Sequence, residues 1–319
     1  QSAYILIAFI CGYITFLIPV YFWQRWAPYL FLIGVVLLVL VLIPGIGLKI
    51  NGSRRWISLA VANFQPTEVV KLFTVMYASD YVLRKSKQMR TIIKGFLPIL
   101  GVMIVTGWLV YVEPDLGALI VITAIAMGIL FLGGLTLRVI FSLAVLAPLG
   151  VWGAILISPY KQKRIQGFLD PWAKENVFDS GLQTTQAQMA FGNGEFFGTG
   201  VGNSVAKLSF LPEAHTDFIM AIIGEEFGLF GVSIVIGLFG FLIVRMFGIA
   251  KESIQNNKHF AALMAQGIAI WFSIQCTINI AVNLGLFPTK GITLPLLSFG
   301  GSSLLVCIIA LAIVLRIDH

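Results

Sequence analysis

Long apolar runs separated by short polar segments dominate the chain. Nine of them approach or exceed the roughly 17 to 25 residues a helix needs to cross a bilayer core about 30 Å thick. They extend from Ser2 to Phe22, Ala27 to Ile43, Pro66 to Leu83, Gly95 to Val112, Leu116 to Leu132, Val139 to Ile157, Phe218 to Val244, Phe260 to Leu284 and Ile292 to Leu315. The runs are continuously apolar and lack the alternating ten-residue segments of a membrane barrel. The pattern therefore predicts an all-α, polytopic helical membrane protein with nine transmembrane helices. Residues 1–319 form one integral membrane domain in this reading, and 158–216 form a large loop within it.

Composition agrees. Of the 319 residues 58% are hydrophobic and only 11% charged, far below the quarter or so of charged residues in soluble domains. No charged region or small-residue cleavage site brackets the first run, so it reads as a span and not a removed signal. The 3 cysteines all sit inside apolar runs, which argues against a disulfide framework.

Charge orients the helices. Alternate loops on one side collect Arg25, the cluster from Arg84 to Lys94, Arg138, Arg245, Lys251, Lys258 and Arg316, which is 11 of the 21 basic residues against 3 of the 14 acids. Lysine and arginine in short loops mark the cytoplasmic side, so this side and the C-terminus are expected inside. Gln1 is then expected outside. The net charge of +7 reflects topology, and nucleic-acid binding is excluded.

Most acids fall on the opposite, outer side. Glu68 and Lys71, three residues apart in the third run, share a helix face and can pair, although ionisable groups at membrane depth usually serve function. Arg54, Arg55 and Trp56 precede them, and Pro66 suits a helix start, so cations gather near a helix N-terminus that could receive a phosphate. Headgroup snorkelling is the competing reading of Arg54, Arg55 and Trp56. The turn Glu113 to Asp115 reads as structural, with Asp115 as a helix N-cap, and a polar wall of the site is the alternative. The long loop carries Lys163 and Arg164 and ends in Leu211 to Ile219, with His215 and Asp217 at the entrance of the next helix. Asp217 reads either as a cap or as a catalytic carboxylate. Glu225 and Glu226, inside that helix, imply partners or a wet interior. Lys290 lies in an outer turn, and the small, hydroxyl-rich stretch Ser298 to Ser303 suits close packing. No set of metal ligands is evident, although a divalent cation could neutralise a pyrophosphate there.

Six strings occur together in order: Asn51 to Trp56, Gln65 to Lys71, Glu113 to Gly117, Leu211 to Phe218, Gly224 to Gly228 and Pro288 to Ser303. With them the chain resembles the SEDS family of peptidoglycan glycosyltransferases over nearly its whole length, and its division branch more than its elongation branch. The resemblance implies ten spans with both ends cytoplasmic, so the first is expected to lie upstream of Gln1. It also implies a septal location in the bacterial inner membrane and polymerisation of lipid II, with undecaprenyl pyrophosphate as the leaving group and Asp217 as the essential acid. Arg54, Arg55, Trp56, Glu68, Lys71, Lys163, Arg164, His215 and Lys290 become expected substrate contacts. Implied partners are a class B penicillin-binding protein, other division membrane proteins and membrane lipid. The principal alternative is a transporter or flippase of the same precursor, since charges within spans also mark substrate pathways. A scaffold without chemistry is the other, and it leaves Glu68, Lys71 and Asp217 unexplained as a set.

Overall fold

Helices form where the apolar runs predict them, with instructive exceptions. The computed structural model describes residues 2–50, 53–58, 63–89, 91–139, 141–142, 159–289 and 291–319; the side chains of residues 3, 50, 159–161, 164 and 209 are not among those described. Helices α1 (Ser2–Leu17), α2 (Val20–Leu42), α3 (Pro66–Arg84), α4 (Leu97–Val112) and α5 (Leu116–Leu132) come first. Two short helices follow, α6 (Pro159–Leu169) and α7 (Leu182–Gly194), then α8 (Ile219–Gln255), α9 (His259–Asn283) and α10 (Gly301–Asp318). Among the described residues, five segments are long and apolar enough to cross a membrane: α2, α4 with the π-helical turn before it, α8, α9 and α10. The expected span from Val139 to Ile157 lies almost wholly outside the described residues.

Three features depart from the pattern. The segment after α2 forms a small antiparallel sheet, β1 (Gly47–Ile50), β2 (Ser53–Ser58) and β3 (Asn63–Phe64), in the order β1-β2-β3. The last apolar run begins its helix only at Gly301; residues 292–300 are irregular. Pro295 cannot donate to a helix and disfavours helical geometry at Leu294, and Leu296 takes a φ of 66°. The seventh run continues to Gln255 as α8, but its helix is broken at Gly228, whose φ is 63°. A Cβ there would stand 2.5 Å from the Gly198 nitrogen and the Phe196 oxygen, so only glycine fits both the backbone angle and the space.

The chain groups into two compact units. The first comprises Gln1–Leu137, Leu242–Ile274 and Gly300–His319, the second Arg138–Phe241 and Gln275–Phe299. In the first, α2, α3, α4 and α5 share a core of Leu38, Val70, Val110, Ala118 and Ile122. The least hydrophobic of these helices, α3, is the most enclosed: Thr67, Glu68, Lys71, Thr74, Ser79 and Asp80 are all buried. Polar groups in a membrane helix turn toward protein because hydrocarbon offers no hydrogen bonds. In the second unit Phe218, Ala221, Ile222 and Val282 pack with Ala187 and Ala190 of α7. Large apolar side chains such as Phe9, Tyr13 and Val244 in the first unit and Phe241 in the second stay exposed. Exposed side chains of this kind are a liability in water and the expected surface in lipid.

Candidate active site

The second unit builds its site around the sequence His-Thr-Asp-Phe at 215–218. Along α9 three amides, Gln275, Asn279 and Asn283, recur every fourth residue and so share one helix face, and all three are buried. Asn279 and Asn283 each donate from Nδ2 to the Asp217 carbonyl at 2.9 Å, and Asn279 also donates to the Ile292 carbonyl at 2.6 Å. Asn283 Oδ1 accepts the Ala221 N–H in the first turn of α8. Gln275 donates to the Thr293 carbonyl at 2.8 Å.

The irregular segment 292–299 closes the arrangement. Ser298 donates its hydroxyl to the Thr216 carbonyl and accepts the Leu294 N–H, while the Phe299 N–H donates to the His215 carbonyl at 2.9 Å. Three consecutive carbonyls, of His215, Thr216 and Asp217, are therefore all held. Such complete bonding fixes the backbone and hence the direction in which each side chain leaves it. His215 is exposed and Asp217 half-buried, with Phe218 sealed in the core. Asp217 Oδ2 lies 3.2 Å from where a Cβ on Gly291 would stand, so a glycine there leaves the carboxylate room.

The break in α8 is also fully bonded. The N–H groups of Thr199 and Gly200 donate to the carbonyls of Glu225 and Glu226, and those of Leu229 and Phe230 donate to Glu195 and Phe196. Loop residues thus replace the helix bonds lost at Gly228, as a broken membrane helix requires. The Glu225 carboxylate accepts from the Ser204 hydroxyl and from the N–H groups of Val205 and Ala206, and Glu226 pairs with Lys207 at 2.6 Å. The partners expected for these two acids are found in the loop, where they fasten it to α8.

In the first unit Lys71 Nζ bonds Glu68 Oε1 at 2.8 Å and stands 5.3 Å from the centroid of the Trp271 ring. Asp115 caps α5 by accepting the Ala118 N–H and also accepts from Gln65 Nε2 at 3.2 Å, so the cap reading of Asp115 holds. Arg55 in β2 donates to the carbonyls of Glu113 and Pro114, and Arg54 to that of Leu42 at 3.4 Å. Ser302 accepts the Gln65 N–H and donates to the Asn63 carbonyl. Ser298 and Ser302 therefore fasten backbone, a finer role than the packing expected of this stretch. Glu68 Oε2, Thr67 Oγ1 and both Glu113 carboxyl oxygens are buried with no partner among the described residues.

Comparison with known proteins settles the lineage. The profile of the cell cycle protein family FtsW/RodA/SpoVE matches residues 1–319. The chain belongs to this family. A probable peptidoglycan glycosyltransferase FtsW from Aromatoleum aromaticum is 51% identical over 93% of the chain and 72% of its own length. One from Nitrosomonas europaea is 48% identical over 100% and 81%. Among solved structures, a chain described under the coordination of polymerization and crosslinking by a peptidoglycan synthase complex superposes with a TM-score of 0.81 at 28% identity, covering 100% of this chain and 88% of that one. The rod shape determining protein RodA of Thermus thermophilus gives 0.71 at 26%, covering 100% and 86%. These matches also establish the helical SEDS fold of a multi-pass membrane protein.

Lys163 pairs with Asp179 at 2.5 Å, both more than half exposed, a contact worth little energy. Trp56 is half-buried in β2. Lys290 and the side chain of Arg164 lie outside the described residues. No group of three His, Cys, Asp or Glu among the described residues could hold a metal ion.

Glu113, in the turn that the sequence reads as structural, is strongly perturbed. Burial first, and the Asp115 charge second, push its carboxyl up to about 9, against the opposing pull of Arg55. The folded protein therefore holds Glu113 protonated at neutral pH. An acid raised above its ordinary 4.5 contributes stability that is fully present below that value and is lost as pH climbs toward about 9. We expect the melting temperature in detergent to fall between pH 6 and pH 9, and Glu113→Gln, neutral throughout, to flatten the fall. Equal slopes for the two proteins would assign the pH dependence to other groups.

Proposed function

We propose that this peptidoglycan glycosyltransferase polymerises lipid II into glycan strands during cell division, with Asp217 as general base. The acceptor sugar's hydroxyl attacks the donor's anomeric carbon, a C–O bond forms on one face, and the bond to undecaprenyl pyrophosphate breaks on the other, with inversion. The hydroxyl proton passes to the Asp217 carboxylate. The observation that carries this reading is the bonding of three successive carbonyls at His215, Thr216 and Asp217, which holds the backbone beneath one half-buried acid. Preorganisation of that kind raises rate because no reorganisation is needed at the moment of reaction.

His215, beside it in sequence, is assigned to the sugar. By charge, Arg54, Arg55, Lys71, Lys163, Arg164 and Lys290 are assigned to the pyrophosphate. Trp56 offers a ring face to a sugar, and the unpartnered oxygen of Glu68 an acceptor for its hydroxyls. Residues 1–319 act as one integral membrane domain, with the cytoplasmic C-terminus that the basic loops indicate, at the septum of the bacterial inner membrane. A class B penicillin-binding protein is the partner this reading requires, supported by the likeness to a chain described with both polymerization and crosslinking.

The test is purified full-length protein with its transpeptidase partner, supplied with lipid II in proteoliposomes. Glycan strands whose new linkages have the anomeric configuration opposite to the donor's are expected. Translocation of lipid II without polymer would replace this reading with a flippase.

A further inference from the structure

A cavity of about 570 Å³ opens in the first unit, lined by none of the site groups described above. Its wall is built from the α1–α2 junction, the end of α3, the α8–α9 turn and the end of α10, all helix termini. Helix ends of this kind lie where hydrocarbon gives way to headgroups.

The wall has two chemistries. Lys258 and Arg316 supply fixed positive charge, with Gln24 and Asn257 as amide donors, while Leu83 and Phe260 give an apolar flank. No described lining residue is an Asp or Glu, and neither Lys258 nor Arg316 forms an ion pair among the described residues; the nearby Asp318 is engaged by Arg245. Arg316 lies with its guanidinium carbon 5.9 Å from the centroid of the Phe16 ring. Two unneutralised cations beside apolar surface, in a volume ample for a small ligand, match a phosphate that carries hydrocarbon.

We propose that this cavity is a binding site for the phosphate headgroup of an anionic phospholipid, with Lys258 and Arg316 on the phosphate and Leu83 and Phe260 against the first acyl segment. The site is separate from glycosyl transfer and makes no use of Asp217. It would tie the ends of four helix segments to one lipid.

The test uses purified full-length protein in detergent, with thermal stabilisation and native mass spectrometry as readouts and three probes: phosphatidylglycerol, phosphatidylcholine and inorganic phosphate. Phosphatidylglycerol should bind and stabilise, and phosphatidylcholine at the same concentration should not. Its affinity should fall about fivefold for Lys258→Gln or Arg316→Gln and about thirtyfold for the pair, from roughly 1 kcal/mol per cation near a lipid surface. Lys258 is an exposed turn residue, so Lys258→Gln is expected to fold even if Arg316→Gln, which also loses its contact with Phe16, does not. Equal affinity in wild type and Lys258→Gln, or equal binding of both lipids, would overturn the proposal. Protection by inorganic phosphate as strong as by phosphatidylglycerol would overturn its lipid part and leave a free phosphate as the ligand.

Discussion

Replacing Asn279 and Asn283 together with alanine is expected to lower lipid II polymerisation by about a hundredfold while the protein still inserts and purifies normally. Both amides donate from their side chains to the Asp217 carbonyl, at 2.9 Å each. Without them that carbonyl loses its hold, and the residue whose carboxylate is proposed to meet the acceptor hydroxyl can shift. Misplacement of a reacting group by about 1 Å can cost about two orders of magnitude in rate. Each single variant leaves one donor in place and should lose less. The fold should survive because alanine in an apolar helix removes polar groups that are costly to bury, although the Ile292 carbonyl and the Ala221 N–H each lose a partner. Steady-state rates at varied lipid II distinguish positioning from binding: the loss should fall in kcat with KM little changed. A rise in KM alone would make these amides substrate contacts.

This ladder shows what sequence reading recovered and what it missed. The apolar runs forecast the helices because bilayer thickness leaves few options for a long uncharged segment. Asp217 and the pair Glu68 and Lys71 stood out because ionisable groups near or within spans are rare. Gln275, Asn279 and Asn283 carried a legible signal, amides at four-residue spacing in an apolar helix, but uncharged side chains attract less notice than acids. The sheet was legible too, since Asn51-Gly52 between β-prone segments is a strong hairpin signature. Its residues were read instead by charge alone. The irregular segment from Ile292 to Gly300 was hidden by its own hydrophobicity; Pro295 was the clue that the helix starts later. The partner of Arg55 was beyond reach, because 58 residues separate it from the Glu113 carbonyl and no local rule links them.

Asp217→Asn carries the largest expected effect. The amide keeps the carboxylate's shape and leaves the backbone bonds of His215, Thr216 and Asp217 intact, so the change removes basicity with little else. General-base catalysis is worth about 10² to 10⁴ in rate, and an amide at this position has no comparable capacity to accept a proton. The decisive measurement is therefore the rate of glycan-strand formation from lipid II by full-length Asp217→Asn and wild type, each with the transpeptidase partner and matched for folding and partner binding. A fall of about a thousandfold or more in the variant is the predicted result; strand formation at the wild-type rate would contradict the assignment of Asp217 as the catalytic base.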